Sequence, residues 1–157
     1  DASQATSETS AEGMSEEEAE SANPGEAVLT STGAETVNFA AEAKLSREQV
    51  RSKNKESLLK IITNKKLEGA SRQSAIEQMV KMTDTAEKEE AAEMLLEAKG
   101  FSNVVVSITD DSADVVLDMG KDATDAKRAQ VEDIVKRKTS VSASQICVTL
   151  MGTAKTE

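Results

Sequence analysis

The side chains able to do chemistry are few, and their spacing serves it poorly. Asp110, Asp111 and Asp114 crowd one short stretch. The central glycine and closing glutamate of a calcium loop are missing, so the stretch predicts a hairpin turn. Glu87, Glu89, Glu90, Glu93 and Glu97 gather with Lys88 and Lys99. That pattern predicts a solvated helix face rather than an acid–base pair. Cys147 is the single cysteine, and the sequence contains no histidine. No imidazole is present to activate that thiol, complete a serine triad or ligate zinc. One cysteine forms no internal disulfide. The seven glycines are dispersed singly, which leaves no phosphate-binding loop. The expectation is a non-enzymatic interaction module with no cofactor and no metal ion.

Charge divides the chain. Of its 157 residues, those from 1 to 43 carry ten acidic side chains and no Lys or Arg, whereas those from 44 to 157 carry 19 of each sign. A neutral folded region does not neutralise phosphates, so nucleic acid is not expected as a partner. No apolar run approaches the roughly 18 residues of a membrane span. The chain opens on Asp, and any anchor is expected to precede residue 1.

The elements that must position these residues start after a low-complexity stretch. Residues 1–38, rich in Ser, Thr, Ala, Glu and Gly, predict a disordered acidic linker, because they bury too little apolar surface to offset ordering entropy. A helical arm is expected over 39–84. Ser46 to Gln49 fits a capping box. Val50, Leu58, Ile61 and Ile62 recur at helical spacing around a solvated stretch from Arg51 to Glu56. Gly69 and Ser71 predict a stop and a new cap. The next helix reaches Lys99, with Ile76, Val80, Thr83, Ala86, Ala91, Met94 and Leu95 on one stripe, and with a possible break at Thr83-Asp84-Thr85. Its end predicts a Schellman stop, with Gly100 left-handed and Phe101 packed back on Leu96.

After Gly100 the apolar period changes to two. Val104, Val106 and Ile108, then Val115, Leu117 and Met119, predict a hairpin. A helix follows from Ala126 to Lys138, capped by Asp122 or Thr124, with Val131, Ile134 and Val135 inward. Ile146, Val148 and Leu150 form a last strand. The fold class is α+β: an N-terminal helical arm followed by an α-β-β-α-β module over 85–157, two helices on one face of a three-stranded sheet. That order also suits KH-type RNA binders, but their Gly-x-x-Gly clamp is missing. Val105, Val116, Cys147 and Met151 fall on the second sheet face, to be covered by the arm or by a neighbouring subunit. The last strand, Ser144 to Met151, is expected at an edge. It carries no Pro, Lys, Glu or Gly from Gln145 on, so either it accepts a partner strand or the first helix or the tail Gly152 to Glu157 covers it. Its backbone is expected to face outward at Cys147 and Thr149. The candidate partner-binding residues are Gln145, Cys147, Thr149, Met151, Val105 and Val116, with Arg51 and Lys55 of the polar helix as the alternative.

Three passages carry a family resemblance: Leu45 to Glu56, Glu93 to Phe101, and the closing helix with Ile146-Cys147-Val148-Thr149-Leu150. Together they resemble the extracytoplasmic part of the stage III sporulation protein AH family. The resemblance implies a ring-building module like those of secretion-system and flagellar basal bodies. It implies a single-pass protein of the mother-cell membrane around the forespore, whose domain lies in the intermembrane space. There it would bind stage II sporulation protein Q, through that protein's LytM-like domain, and self-associate into the ring of a trans-envelope channel needed during engulfment. Residues alone leave a second expectation, a helical adaptor or regulatory domain for a soluble protein partner.

Overall fold

The computed structural model describes residues 31–151, Asp122 excepted. Along the chain run α1 Ser31–Thr63, α2 Gly69–Ala98, β1 Ser102–Thr109, β2 Ser112–Asp118, α3 Asp125–Thr139, a 3-10 turn Ala143–Gln145 and β3 Ile146–Leu150. From α2 onward this is the α-β-β-α-β order expected. The sheet order is β1-β2-β3, with β2 central, antiparallel to β1 and parallel to β3.

The helix-to-strand switch at Gly100 has the predicted form. Gly100 sits at φ 96°. Its N–H donates to Glu97 O at 3.0 Å, and Phe101 N–H donates to Leu96 O at 3.2 Å. Both bonds define a Schellman stop, and Leu96 and Phe101 are buried beside it. In β1 a bulge follows at Asn103, whose φ is 53°, where the register to β2 slips by one residue. Asp110 takes φ 51° in the two-residue loop between β1 and β2. Thr124 caps α3, accepting from Lys127 N at 3.2 Å. Asp122, the other predicted cap, lies outside the described residues.

Helices α2 and α3 cover one sheet face. Ala92 and Leu96 meet Val131, Ile134 and Val135 over Val104, Val106, Ala113, Val115 and Leu117. Ile108, Ile146, Val148 and Leu150 pack around that centre. The alternating apolar positions of the three predicted strands, Val104, Val106, Ile108, Val115, Leu117, Ile146, Val148 and Leu150, all lie on it. On the opposite face Val105 is buried, Val116 half-buried and Cys147 exposed, so cover falls away from β1 toward β3.

The helical half departs from expectation in three ways and decides one alternative. Ser46 caps nothing, because α1 runs unbroken through it; the Ala, Glu, Lys and Leu around it favour helix strongly enough to carry a serine. Helix α1 begins at Ser31, inside the stretch expected as linker, whose residues 1–30 lie outside the described ones. Gly69 opens α2 rather than closing α1. Thr83-Asp84-Thr85 does not interrupt α2: Thr83 Oγ1 donates to Met79 O at 3.0 Å and Asp84 pairs with Lys88 at 2.7 Å. Both side chains are satisfied inside the helix, so neither pulls it into a cap.

The stripe of α2 is also shifted. Ile76, Val80 and Met94 are exposed, while Ala75, Glu89, Ala92, Glu93 and Leu96 point inward. Two carboxylates therefore occupy the buried face.

Candidate interaction surface

A three-stranded sheet has two edges, and this chain treats them differently. At the β1 edge, Glu93 Oε1 accepts from Val106 N–H at 3.0 Å, and Glu89 Oε1 accepts from Ile108 N–H at 2.8 Å. Arg47 of α1 donates to Val106 O at 2.7 Å. Side chains thus fill the places of a fourth strand. The periods make this possible. Residues i and i+4 of a helix stand about 6 Å apart along its axis. Alternate N–H groups of a strand recur at about 6.8 Å. Glu89 and Glu93 therefore address successive outward amides of β1.

Burying two carboxylates demands partners. Glu89 is 1% and Glu93 6% exposed. Arg47 meets Glu93 at 2.8 Å and Glu89 at 3.5 Å. Arg51 pairs with Glu89, and Lys44 reaches Glu97 at 3.2 Å. The sequence numbers fall on one line as they rise in α1 and descend in α2, so the two helices run antiparallel. Burial disfavours the charge on Arg47, but the hydrogen bond to Glu93 and the charges of Glu93, Glu89 and Glu48 outweigh it and raise its pKa above the ordinary arginine value.

These residues are what sequence reasoning missed. Glu89 and Glu93 were expected on a solvated face, and Arg51 on a helix solvated all round. The available signal was spacing: Glu89, Glu93 and Glu97 step by four, and Lys44, Arg47 and Arg51 step by three and four. That is one stripe of acid and one of base, matched in length.

At the β3 edge no further strand pairs among the described residues. Met151 N–H donates inward to Leu117 O at 2.9 Å. Backbone groups alternate sides along a strand. Thr149 and Cys147 therefore also turn their N–H groups to β2, and the outward groups belong to Ile146, Val148 and Leu150. This corrects the expectation that Cys147 and Thr149 present outward backbone. Their side chains are exposed on the second face instead.

The structure brings Cys147, Thr149, half-buried Met151 and half-buried Val116 together on the β2–β3 side of the second face, with exposed Gln145 just ahead of β3. Val105 is buried on β1, and Arg51 is held by Glu89 and Glu48, leaving Lys55 exposed nearby. An open cleft of about 560 Å³ lies between α1, α2 and the β1–β2 turn, lined by Arg51, Leu58, Gln78, Met82 and Asp110 among others. Among the described residues no group of three or more metal-ligating side chains gathers, and no helix is long and apolar enough to cross a membrane.

No curated protein matches the sequence significantly. A chain in the solved structure of the SpoIIQ-SpoIIIAH pore forming complex has a similar fold, with a TM-score of 0.63 and 20% identity over 71% of this chain and 95% of that one. The family model for SpoIIIAH-like protein matches residues 1–148. With that match over nearly its whole length, the chain belongs to the SpoIIIAH-like protein family.

Proposed function

We propose that this chain is a non-enzymatic structural protein of sporulation, the mother-cell component of a channel between mother cell and forespore. Its module, residues 85–157, binds the LytM-like domain of stage II sporulation protein Q. Copies assemble into a ring, with α1 and the start of α2 as a helical arm and the acidic stretch ahead of α1 as the tether to an anchor in the mother-cell membrane around the forespore. The module then lies in the intermembrane space. Family membership supports the setting.

The observation that carries the binding mode is the contrast of edges. With β1 closed by Glu89, Glu93 and Arg47, strand addition has one place to go, the outward groups of Val148 and Leu150 on β3. A helical adaptor using Arg51 and Lys55 is weaker, since Arg51 is already spent on Glu89.

The test mixes the chain with a SpoIIQ-type LytM domain and measures mass by size exclusion with light scattering. A stable heteromer is expected, with amide exchange slowed at Val148 and Leu150. Two separate monomer peaks would overturn the reading. A heteromer protected on α1 instead would move the site to the arm.

A further inference from the structure

The folded region is neutral in sum but polarised in space. Residues 52–81 carry seven basic and three acidic side chains, and the rest of 44–157, with Lys44, Arg47 and Arg51 held against Glu97, Glu93 and Glu89, carries twelve basic and sixteen acidic. Lys81 pairs with Asp110 at 3.8 Å, which sets it beside the β1–β2 turn at the end of the sheet. The twelve residues of α2 before Lys81 therefore rise about 18 Å past the sheet.

Apolar side chains stand exposed along that projection: Leu67 at 37% near its tip, Ile76 at 41% partway down and Val80 at 64% where it meets the sheet. Exposed Lys65 and Lys66 sit in the connecting loop beside Leu67. Near the other end of α2, Met94 is 63% exposed, one turn after exposed Glu90 and two turns after exposed Glu87, while Glu97 beyond it is held by Lys44. One surface is apolar and basic, the other apolar and acidic.

These two surfaces complement each other and cannot meet within one chain. Helix α2 is continuous, and Val80 and Met94 are about 21 Å apart along it. The acidic residues 1–43 offer charge to the tip. The Met94 surface offers charge and an apolar contact together.

We propose that the arm tip of one copy seats on the Glu90–Met94 surface of a second copy. The contact joins two different patches, so it repeats from copy to copy and suits a closed ring. It rests on the ring assembly proposed above and supplies its interface. It leaves β3 free for the partner protein.

Two charge-reversed forms of the full chain test this: a tip form, Lys65→Glu with Lys66→Glu, and a base form, Glu87→Lys with Glu90→Lys. All four positions are exposed, and circular dichroism checks their folding. Sedimentation at high protein concentration compares low and high salt. The parent is expected to self-associate at low salt and to dissociate at high salt. Each form alone should associate at least tenfold more weakly, and an equimolar mixture should recover the parent behaviour. A parent that stays monomeric at low salt would overturn the proposal. So would a mixture that fails to recover, or a tip form that associates like the parent. A base form that associates normally would point to residues 1–43 as occupant and also overturn it. Binding of the LytM domain by both forms is read in parallel. If it persists while the mixture fails, this interface falls and the family role stands. If the parent does not bind at all, that role falls first.

Discussion

Arg47 and Glu93 approach to 2.8 Å, and each also bonds the same residue: Glu93 takes the N–H of Val106, and Arg47 gives to its C=O. One ion pair thereby satisfies both outward backbone groups of Val106, as a neighbouring strand would. Truncating either partner exposes a backbone group and leaves a charge. Glu93→Ala is expected to cost about 2–3 kcal/mol, below the figure for a fully buried pair because Arg47 retains some solvent. Urea unfolding measures it. A loss under roughly 0.5 kcal/mol would mean that water replaces the carboxylate freely.

Arg47 also predicts a pH response by its absence. A group whose pKa is raised on folding stabilises fully below its unfolded value and loses that effect as pH climbs through the folded one. For Arg47 both values lie in strong alkali. The stability gap between parent and Arg47→Met should therefore stay level from about pH 6 to about pH 9. A gap that closes within that window would show the guanidinium is not the group responsible.

Gly100→Ala tests the stop of α2. No atom lies within 4 Å of where its Cβ would go, so the change is conformational alone. At φ 96° the cost should be about 1 kcal/mol or somewhat more, a fall in Tm of roughly 4–8 °C per kcal/mol for a domain of this size. An unchanged Tm would indicate that the turn relaxes.

Val106→Asp and Leu117→Asp each place a charge where exposure is 0%. Penalties of several kcal/mol are expected, comparable to the stability of a small domain, so neither should fold cooperatively. Cys147→Asp, on the exposed face, should fold as the parent does. Differential scanning calorimetry separates the two outcomes.

Proline distinguishes the two sides of β3. Thr149→Pro removes an N–H aimed at β2 and should unseat the strand. Val148→Pro removes an outward N–H and should keep the fold, with a modest packing loss, while weakening LytM-domain binding at least tenfold. Undiminished binding by folded Val148→Pro would exclude strand addition at this edge.

How much of this was legible follows from the reach of each interaction. The Leu96–Phe101 stop, the β1–β2 hairpin and the inward set from Val104 to Leu150 depend on neighbours close in sequence or on simple alternation, and those patterns can be read directly. Glu89 and Glu93 could not be read so. Their burial is set by backbone groups of Val106 and Ile108 and by cations some forty residues away in α1. In a list of charged residues they look like any solvated face. The same limit misplaced Ser46, whose capping pattern is real locally but is overridden by a helix continuing on both sides. The side to which each N–H of β3 turns depended on which residue met Leu117, a register that alternation alone leaves open.

The closed edge at β1 also sets the valence of this chain. In the vocabulary of polymer chemistry, a sheet with two open edges is a bifunctional monomer, and its product is a fibre of indefinite length. With Glu89 and Glu93 occupying one reactive end, the sheet is monofunctional. A strand added at β3, as proposed above, would terminate growth. Copies at high local concentration are thus guarded against cross-β stacking by two carboxylates in their own helix, whatever holds them together elsewhere.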